Sequence, residues 1–343
     1  MAASHMRTTT FHLSCAAGFE SVVGRALRAD LSALSRLDED SGRLRLEAPA
    51  QVAAVLRDLP YLSVALEELA VTRYRGMDAA LRSLAGMLDG RARPPVVRSA
   101  RTFRLRVSDG GRLVRVDPGA REALERAVAS WGRLRPEPRG GDLELWVTHR
   151  RDAPDVDLSV RFDVPEATKV PRGALTREVA GALVRVEDPA PHERVLDPFA
   201  GSGAIPLARA RYPFRSIVAS DVDKATATAL RRLHPGVRAA RADIHDLRAL
   251  RDLVDGGAVE RIITDPPWGL YEGAPVDALD IHRALWAVGD DLLAPGGSLT
   301  VLTGATDDAR SALTDSDLVE TGALPVLVNG KKATVLTVRH RDG

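Results

Sequence analysis

The spacing of apolar residues changes character twice along the chain. Thr8 to Ser14 alternates as a short strand, and Gly18 to Asp30 follows with Phe19, Val22, Val23, Ala26 and Leu27 at helical spacing. Ser35–Leu37 and Arg43–Leu46 can pair as a hairpin around Asp40-Ser41-Gly42. Pro49 to Leu59 predicts a helix with Pro49 in its first turn. Tyr61 to Thr72 is apolar without a clear period, and Met77 to Leu88 predicts a helix stopped by Asp89-Gly90. The Pro94-Pro95 break opens a second pattern. It holds a strand over Thr102–Val107, an amphipathic helix over Pro118–Trp131, and strands over Asp142–Thr148 and Val156–Val164.

From Arg172 the pattern becomes regular. Arg172 to Val186 places Leu175, Val179, Leu183 and Val186 on one helical face, before the loop Glu187–Pro191. Strands are then predicted at Arg194–Leu196, Ser216–Ser220, Val237–Ala242, Arg261–Thr264 and Ser298–Thr303. Helices fall between them at Ala204–Ala210, Lys224–Leu233, Leu247–Val254 and Val276–Leu293. Such alternation builds a mostly parallel sheet covered by helices. Leu318–Leu327 and Ala333–Arg339 turn at Asn329-Gly330, a hairpin signal that makes the last strand antiparallel. The expected organisation is an N-terminal α+β region over 7–90, a second compact α+β domain over 91–166, a linker and covering helix over 167–191, and an α/β Rossmann-like domain over 192–343.

In a sheet of this kind ligands lie at the carboxyl ends of the strands, where strand order reverses. The chemistry of this chain collects there. Asp197 ends the first strand of the α/β domain and leads into Pro198-Phe199-Ala200-Gly201-Ser202-Gly203. Gly201 and Gly203 leave backbone room for a ligand. Asp221 ends the next strand, where a carboxylate can accept both hydroxyls of a ribose. Asp243, followed by Ile244, ends the third, where it can accept from an adenine amino group. Three carboxylates suit a cofactor with a ribose, an adenine and a cationic centre better than a polyphosphate. Gly201-Ser202-Gly203-Ala204-Ile205-Pro206 also has Pro206 where a dinucleotide site wants its third glycine. The cofactor expected is S-adenosylmethionine, with Asp197 facing its positive end.

Asp265-Pro266-Pro267-Trp268 ends the fourth strand. Two prolines remove amide donors and fix the loop, so that Asp265 and the backbone carbonyls act as acceptors for an exocyclic amine. Trp268 is expected to offer a face on which a base can stack. The charge of the whole chain, +1, points to no partner. Its distribution does: Arg91 to Arg139 holds thirteen arginines and five acids. Arg98, Arg101, Arg104 and Arg106 are the expected RNA contacts, since arginine pairs bidentately with phosphate.

The blocks Asp197–Gly203 and Asp265–Trp268 resemble those of class I S-adenosylmethionine-dependent methyltransferases acting on nucleobase amino groups. The Arg-rich strand-helix-strand-strand pattern of Thr102–Val164 resembles the THUMP domain, an RNA-binding module. Together they resemble the tRNA guanine-N2 methyltransferases, with Trp268 where that family usually has Tyr or Phe. The resemblance implies a seven-stranded sheet, cofactor contacts at Asp197, Gly201, Gly203, Asp221 and Asp243, and catalysis at Asp265–Trp268. An rRNA guanine-N2 or adenine-N6 enzyme stays open, although in one adenine-N6 group the clamp precedes the glycine loop. So do a small-molecule or protein amine methyltransferase and a non-catalytic RNA-binding protein.

The remaining features narrow the setting. One cysteine, Cys15, and scattered histidines predict neither a disulfide nor a metal site. No apolar run is long enough for a membrane helix, and Met1–Met6 reads as an expression remnant ahead of Met6. A cytoplasmic monomer is expected.

Overall fold

The computed structural model describes residues 8–40, 42–151, 153–162, 174–268 and 277–341. Two compact units emerge. The first takes 8–14, 30–39 and 43–162 of the described residues; the second takes 15–29, 40, 42 and 174–341.

Through the first region, β1 (Thr8–Ser14), α1 (Glu20–Asp30), β2 (Arg36–Asp40), β3 (Arg43–Pro49), α2 (Ala53–Asp58) and β4 (Val64–Arg73) follow in order. Then come α3 (Met77–Gly86), α4 (Pro95–Ser99), β5 (Thr102–Asp109), β6 (Arg112–Leu113), α5 (Pro118–Gly132), β7 (Arg135–Pro136), β8 (Leu143–His149) and β9 (Asp155–Arg161). These nine strands form one sheet, ordered β2-β3-β1-β4-β9-β8-β5-β6, with β7 on β5. The stretch over 61–72 that had no clear period is the strand β4, which joins β1 to β9. The sheet therefore runs unbroken across the boundary expected at residue 91.

One face of this sheet is covered. Leu81 and Leu84 of α3 and Leu124 and Val128 of α5 pack on Phe103, Leu105, Leu145, Val147 and Leu158. Helix α5 starts cleanly because the Asp117 carboxylate accepts from Ala120 N at 2.8 Å and Pro118 sits at its first position. The strands alternate, so Arg104, Arg106, Glu144, Trp146 and Arg161 fall on the opposite face.

Helix α1 corrects the expected boundaries in a second way, since Glu20–Ala29 cluster with the second unit. Arg25 donates to Val186 O at 2.6 Å, and Arg185 donates to Ala26 O at 3.3 Å. Just before it, Gly18 has φ 96°, and a Cβ there would lie 2.4 Å from Pro325 O. Only glycine can make that approach.

The second unit continues with α6 (Arg177–Val184), β10 (Arg194–Asp197), α7 (Ala204–Arg209), β11 (Ser216–Asp221), α8 (Lys224–Leu230), β12 (Val237–Arg241), α9 (Leu247–Leu253) and β13 (Val259–Thr264). It closes with α10 (Ala278–Leu292), β14 (Leu293–Thr303), α11 (Thr306–Leu313), β15 (Leu318–Val328) and β16 (Lys331–His340). Helix α11 was not anticipated. Its only buried residues are Ala309 and Ala312, too weak an apolar stripe to read in sequence.

The seven strands run β12-β11-β10-β13-β14-β16-β15. The first five are parallel, β16 is antiparallel to both neighbours, and Asn329-Gly330 makes the last turn with positive φ at both residues. Leu196, Val218, Ile262, Leu299 and Val301 fill the centre beneath Leu285, Trp286 and Leu292 of α10. Strand order reverses between β10 and β13, which opens the crevice where their carboxyl ends meet.

The amino ends of the same strands are held by buried charge. Arg209 is fully buried. It donates to Glu193 Oε2 at 2.9 Å, to Ala190 O at 2.8 Å and to Pro213 O at 3.0 Å. Arg261 pairs with Glu187 at 3.1 Å and lies 3.8 Å from Glu193. Removing one partner of such a pair leaves an uncompensated interior charge. Glu193→Ala is expected to cost about 3–5 kcal/mol, read as a lower midpoint in urea unfolding, and Glu193→Gln less.

Candidate active site

Asp197 stands at the reversal point and is 1% exposed. Its Oδ1 accepts from the Thr264 hydroxyl at 2.7 Å and from Phe199 N at 3.1 Å. Its Oδ2 is buried and has no hydrogen-bond partner among the described residues. Burial pushes the carboxyl up to about 7, and the nearby Asp265 and Asp221 carboxylates add to that rise. A buried acceptor without a donor is expensive, so this oxygen is suited to a cationic or donor-bearing ligand.

The loop after Asp197 is fixed by the second carboxylate. Asp221 Oδ2 accepts from Gly201 N at 3.1 Å, and Oδ1 accepts from Asp223 N at 2.8 Å. Each oxygen keeps a second lone pair for hydroxyls. The two glycines, expected to act alike, differ. A Cβ on Gly201 (φ 49°) would meet nothing closer than Phe199 O at 3.9 Å, so the space before it is open. A Cβ on Gly203 (φ 83°) would lie 2.3 Å from Leu233 and 3.0 Å from Leu230. Gly203 is there for protein packing, and Gly201 faces open space. Helix α7 has six residues, so its dipole adds little to the site.

Asp243 lies just past β12, and its Oδ1 accepts from His245 N at 3.0 Å and lies 2.9 Å from His245 Nδ1. These bonds hold its carboxyl below the usual range. His245 Nε2 lies 2.9 Å from Asp280 Oδ2 at the start of α10. With a carboxylate at each ring nitrogen, first Asp243 and then Asp280, the imidazole is raised above its usual value. The Ile244 side chain is 5% exposed and belongs to the core, so only its backbone is left for a ligand.

Asp265 follows β13 directly. Burial pushes its carboxyl up to about 7, opposed by the Trp268 indole N–H, which donates to Oδ1 at 2.9 Å. The same N–H reaches Leu302 O at 3.3 Å. Pro266 is buried and Pro267 exposed. The stacking face expected at Trp268 is absent here. The residue is 7% exposed, and a Cβ on Gly304 would touch its ring at 2.6 Å. Trp268 is packed on Gly304 and orients Asp265. The loop after it, 269–276, lies outside the described residues.

Sequence reading missed Thr264, His245, Asp280, Gly304 and Val222, an aliphatic side chain 55% exposed beside Asp221. Only His245, two residues after Asp243, had a visible signal. Among the described residues no group of three His, Cys, Asp or Glu could hold a metal, and no helix is long and apolar enough to cross a membrane.

The four arginines expected to contact RNA do not form one cluster. Arg98 is in α4 and Arg101 precedes β5, both exposed. Arg104 and Arg106 lie half-buried on the sheet face opposite the helices and share the Glu144 carboxylate. Glu144 also accepts from Arg161 at 3.2 Å and Trp146 at 3.3 Å. Burial and the neighbouring Arg104 lower the Arg106 guanidinium. Part of the charge surplus over 91–139 is thus neutralised within the unit.

Comparison with known proteins agrees with this geometry. Residues 168–333 match the family described as UPF0020, RMKL-like, methyltransferase domain. A tRNA (guanine(6)-N2)-methyltransferase of Thermus thermophilus is 35% identical over 178 residues. That match takes 50% of this chain and 49% of the relative, so it spans about half the length of each. TrmN from Thermus thermophilus superposes with TM-score 0.79 at 24% identity, over 97% of this chain and 99% of that one. SMU.472 complexed with SAH superposes with TM-score 0.69 at 14% identity, over 96% and 98%. The chain shares the fold of TrmN over 97% of its length, and its residues 168–333 are similar to the RMKL-like methyltransferase domain.

Proposed function

We propose that this chain methylates the exocyclic N2 of guanine in tRNA with S-adenosylmethionine, as a cytoplasmic monomer whose first unit is a THUMP-like RNA-binding region. The observation that carries the reading is the placement of Asp265. It stands at the reversal point beside Asp197, with one oxygen held by Trp268 and the carboxyl raised to about 7.

The residues present fit the cofactor. Asp197 Oδ2 supplies an unpartnered buried acceptor, Gly201 leaves space, and Asp221 and Asp243 stand at the next two strand ends. The cofactor supplies an electrophilic methyl on a positive sulfur. Everything else falls to the chain. Asp197 offers negative charge to the cationic end, Asp221 its remaining lone pairs to the ribose, and Asp243 its Oδ2 to the adenine amine. Ile244 contributes backbone only, and Val222 an apolar surface. Asp265 Oδ2, not engaged by Trp268, accepts an N–H of the target amine and so aims its lone pair along the line of transfer. A carboxyl near 7 is also matched to taking the proton that the amine loses at neutral pH. Pro266 and Pro267 keep competing donors away. Arg98 and Arg101 are the exposed members of the proposed RNA contacts, and Arg104 and Arg106 the half-buried ones. The tRNA reading is supported by the 35% identical relative.

Tritiated-methyl transfer into unmodified tRNA, followed by nucleoside analysis, should yield N2-methylguanosine; N6-methyladenosine would replace the guanine reading. Asp265→Ala should lower that transfer by about 10²–10⁴-fold and leave cofactor affinity by calorimetry nearly unchanged. Equal activity of the variant would sink the mechanism.

Asp197 and Asp265 also set a pH dependence. Their carboxyls are raised in the folded protein to about 7, above an unfolded value of about 4. Between those values the folded state holds more protons than the unfolded one. Stability of the cofactor-free protein therefore falls as pH rises through that window, and the loss is complete above about 7. Asp197→Asn should stabilise the cofactor-free protein by about 2–4 kcal/mol at pH 8 and much less at pH 4. Its affinity for S-adenosylmethionine should fall. Urea unfolding at the two pH values and calorimetry check both.

A further inference from the structure

The exposed large side chains of the first unit include one aromatic whose ring is held flat. Tyr74, just past β4, is 37% exposed. One face lies on the His149 imidazole, with ring centroids 3.6 Å apart and planes 5° from parallel. His149 is 8% exposed and its Nδ1 lies 2.7 Å from Asp109 Oδ1. Tyr74 N donates to Pro154 O at 2.8 Å. The ring is thus fixed from below by a second ring and at its backbone by the loop before β9. With one face covered in this way, the residue is still 37% exposed.

Cations gather at this end of the sheet. Arg73 and Arg75 flank Tyr74 in the chain, Arg112 pairs in register with Asp109, and Arg151 follows β8; all four are exposed. The Arg151 side chain lies over the β5–β6 turn, since a Cβ on Gly110 would come within 2.5 Å of its Nε. Among the described residues, Asp109 here holds His149, and Asp155 lies 3.8 Å from Arg73. Arg98 and Arg101, by contrast, sit where β5 begins, and Asp109 where it ends.

We infer that Tyr74, seated on His149, is a stacking platform for an unpaired nucleobase of the RNA, with Arg73, Arg75, Arg112 and Arg151 taking flanking phosphates. The inference rests on the proposed RNA reading and moves the main contact to the opposite end of β5 from Arg98 and Arg101. A pre-set aromatic plane inside a cationic rim fits a single strand, because every base has a stacking face while phosphates follow the rim. A duplex buries those faces.

The test is binding of unmodified tRNA and of a short single-stranded RNA to the full chain at several salt concentrations. Tyr74→Ala and Tyr74→Leu should both weaken binding about 5- to 100-fold at an unchanged salt slope. Tyr74→Trp should bind at least as tightly as the parent chain. The pair Arg75→Ala with Arg151→Ala should reduce the slope of log K against log salt by about 1.4 for the single strand. Tyr74→Leu keeps bulk over His149, so a thermal melt matching the parent chain separates lost stacking from lost folding. Tyr74→Leu or Tyr74→Ala binding within two-fold of the parent overturns the platform while leaving the RNA reading intact. A parent chain that binds neither RNA overturns both.

Discussion

The Thr264 hydroxyl on Asp197 Oδ1 is the bond on which the site depends. It spans the reversal point and joins the last residue of β10 to the last residue of β13. The glycine loop begins at one end of it and the Asp265 clamp at the other. Because it occupies Oδ1, it leaves Oδ2 as the buried acceptor. In the proposed function, cofactor and amine recognition are both set by one pair of neighbouring strands, and an error in their register would displace both.

Carboxylates crowd this crevice, and their crowding is a cost to the fold. Burial raises Asp197 most, and Asp265 and Asp221 add to that rise against the hydrogen bonds from Thr264 and Phe199. The folded protein tolerates this because a positive ligand would relieve it, which is the ordinary trade of stability for function. The opposite end of the sheet shows the contrast. There Arg209 and Arg261 are buried against Glu193 and Glu187. Opposite charges meet there, although Arg209 Nε and Arg261 Nε and Nη2 are buried without a partner among the described residues.

The α/β half was legible because its strands are short apolar runs and its functional acids sit at their ends, where the chain must leave the sheet. Asp197, Asp221, Asp243 and Asp265 could be placed for that reason. What could not be read depends on contacts distant in sequence. Gly203 looks identical to Gly201 in the sequence, yet Leu230 and Leu233 decide its role. Trp268 reads as an open ring until Gly304 is seen against it. Arg104 and Arg106 look like free cations until β8 brings Glu144 beside them. Strand β4 showed no clear period because it is central in its sheet, between β1 and β9, and Glu67 lies among its inward positions.

Helix α1 carries a further implication. It belongs to the second unit, yet it is made about 160 residues before Arg185 and Val186, which grip it. During synthesis this segment must wait, unpaired, while the whole first sheet emerges. The methyltransferase half is therefore not a cassette that can be cut out near residue 167 and moved elsewhere. A fragment that starts there would lack this helix, so the second unit must be taken with residues 15–29 to keep these contacts.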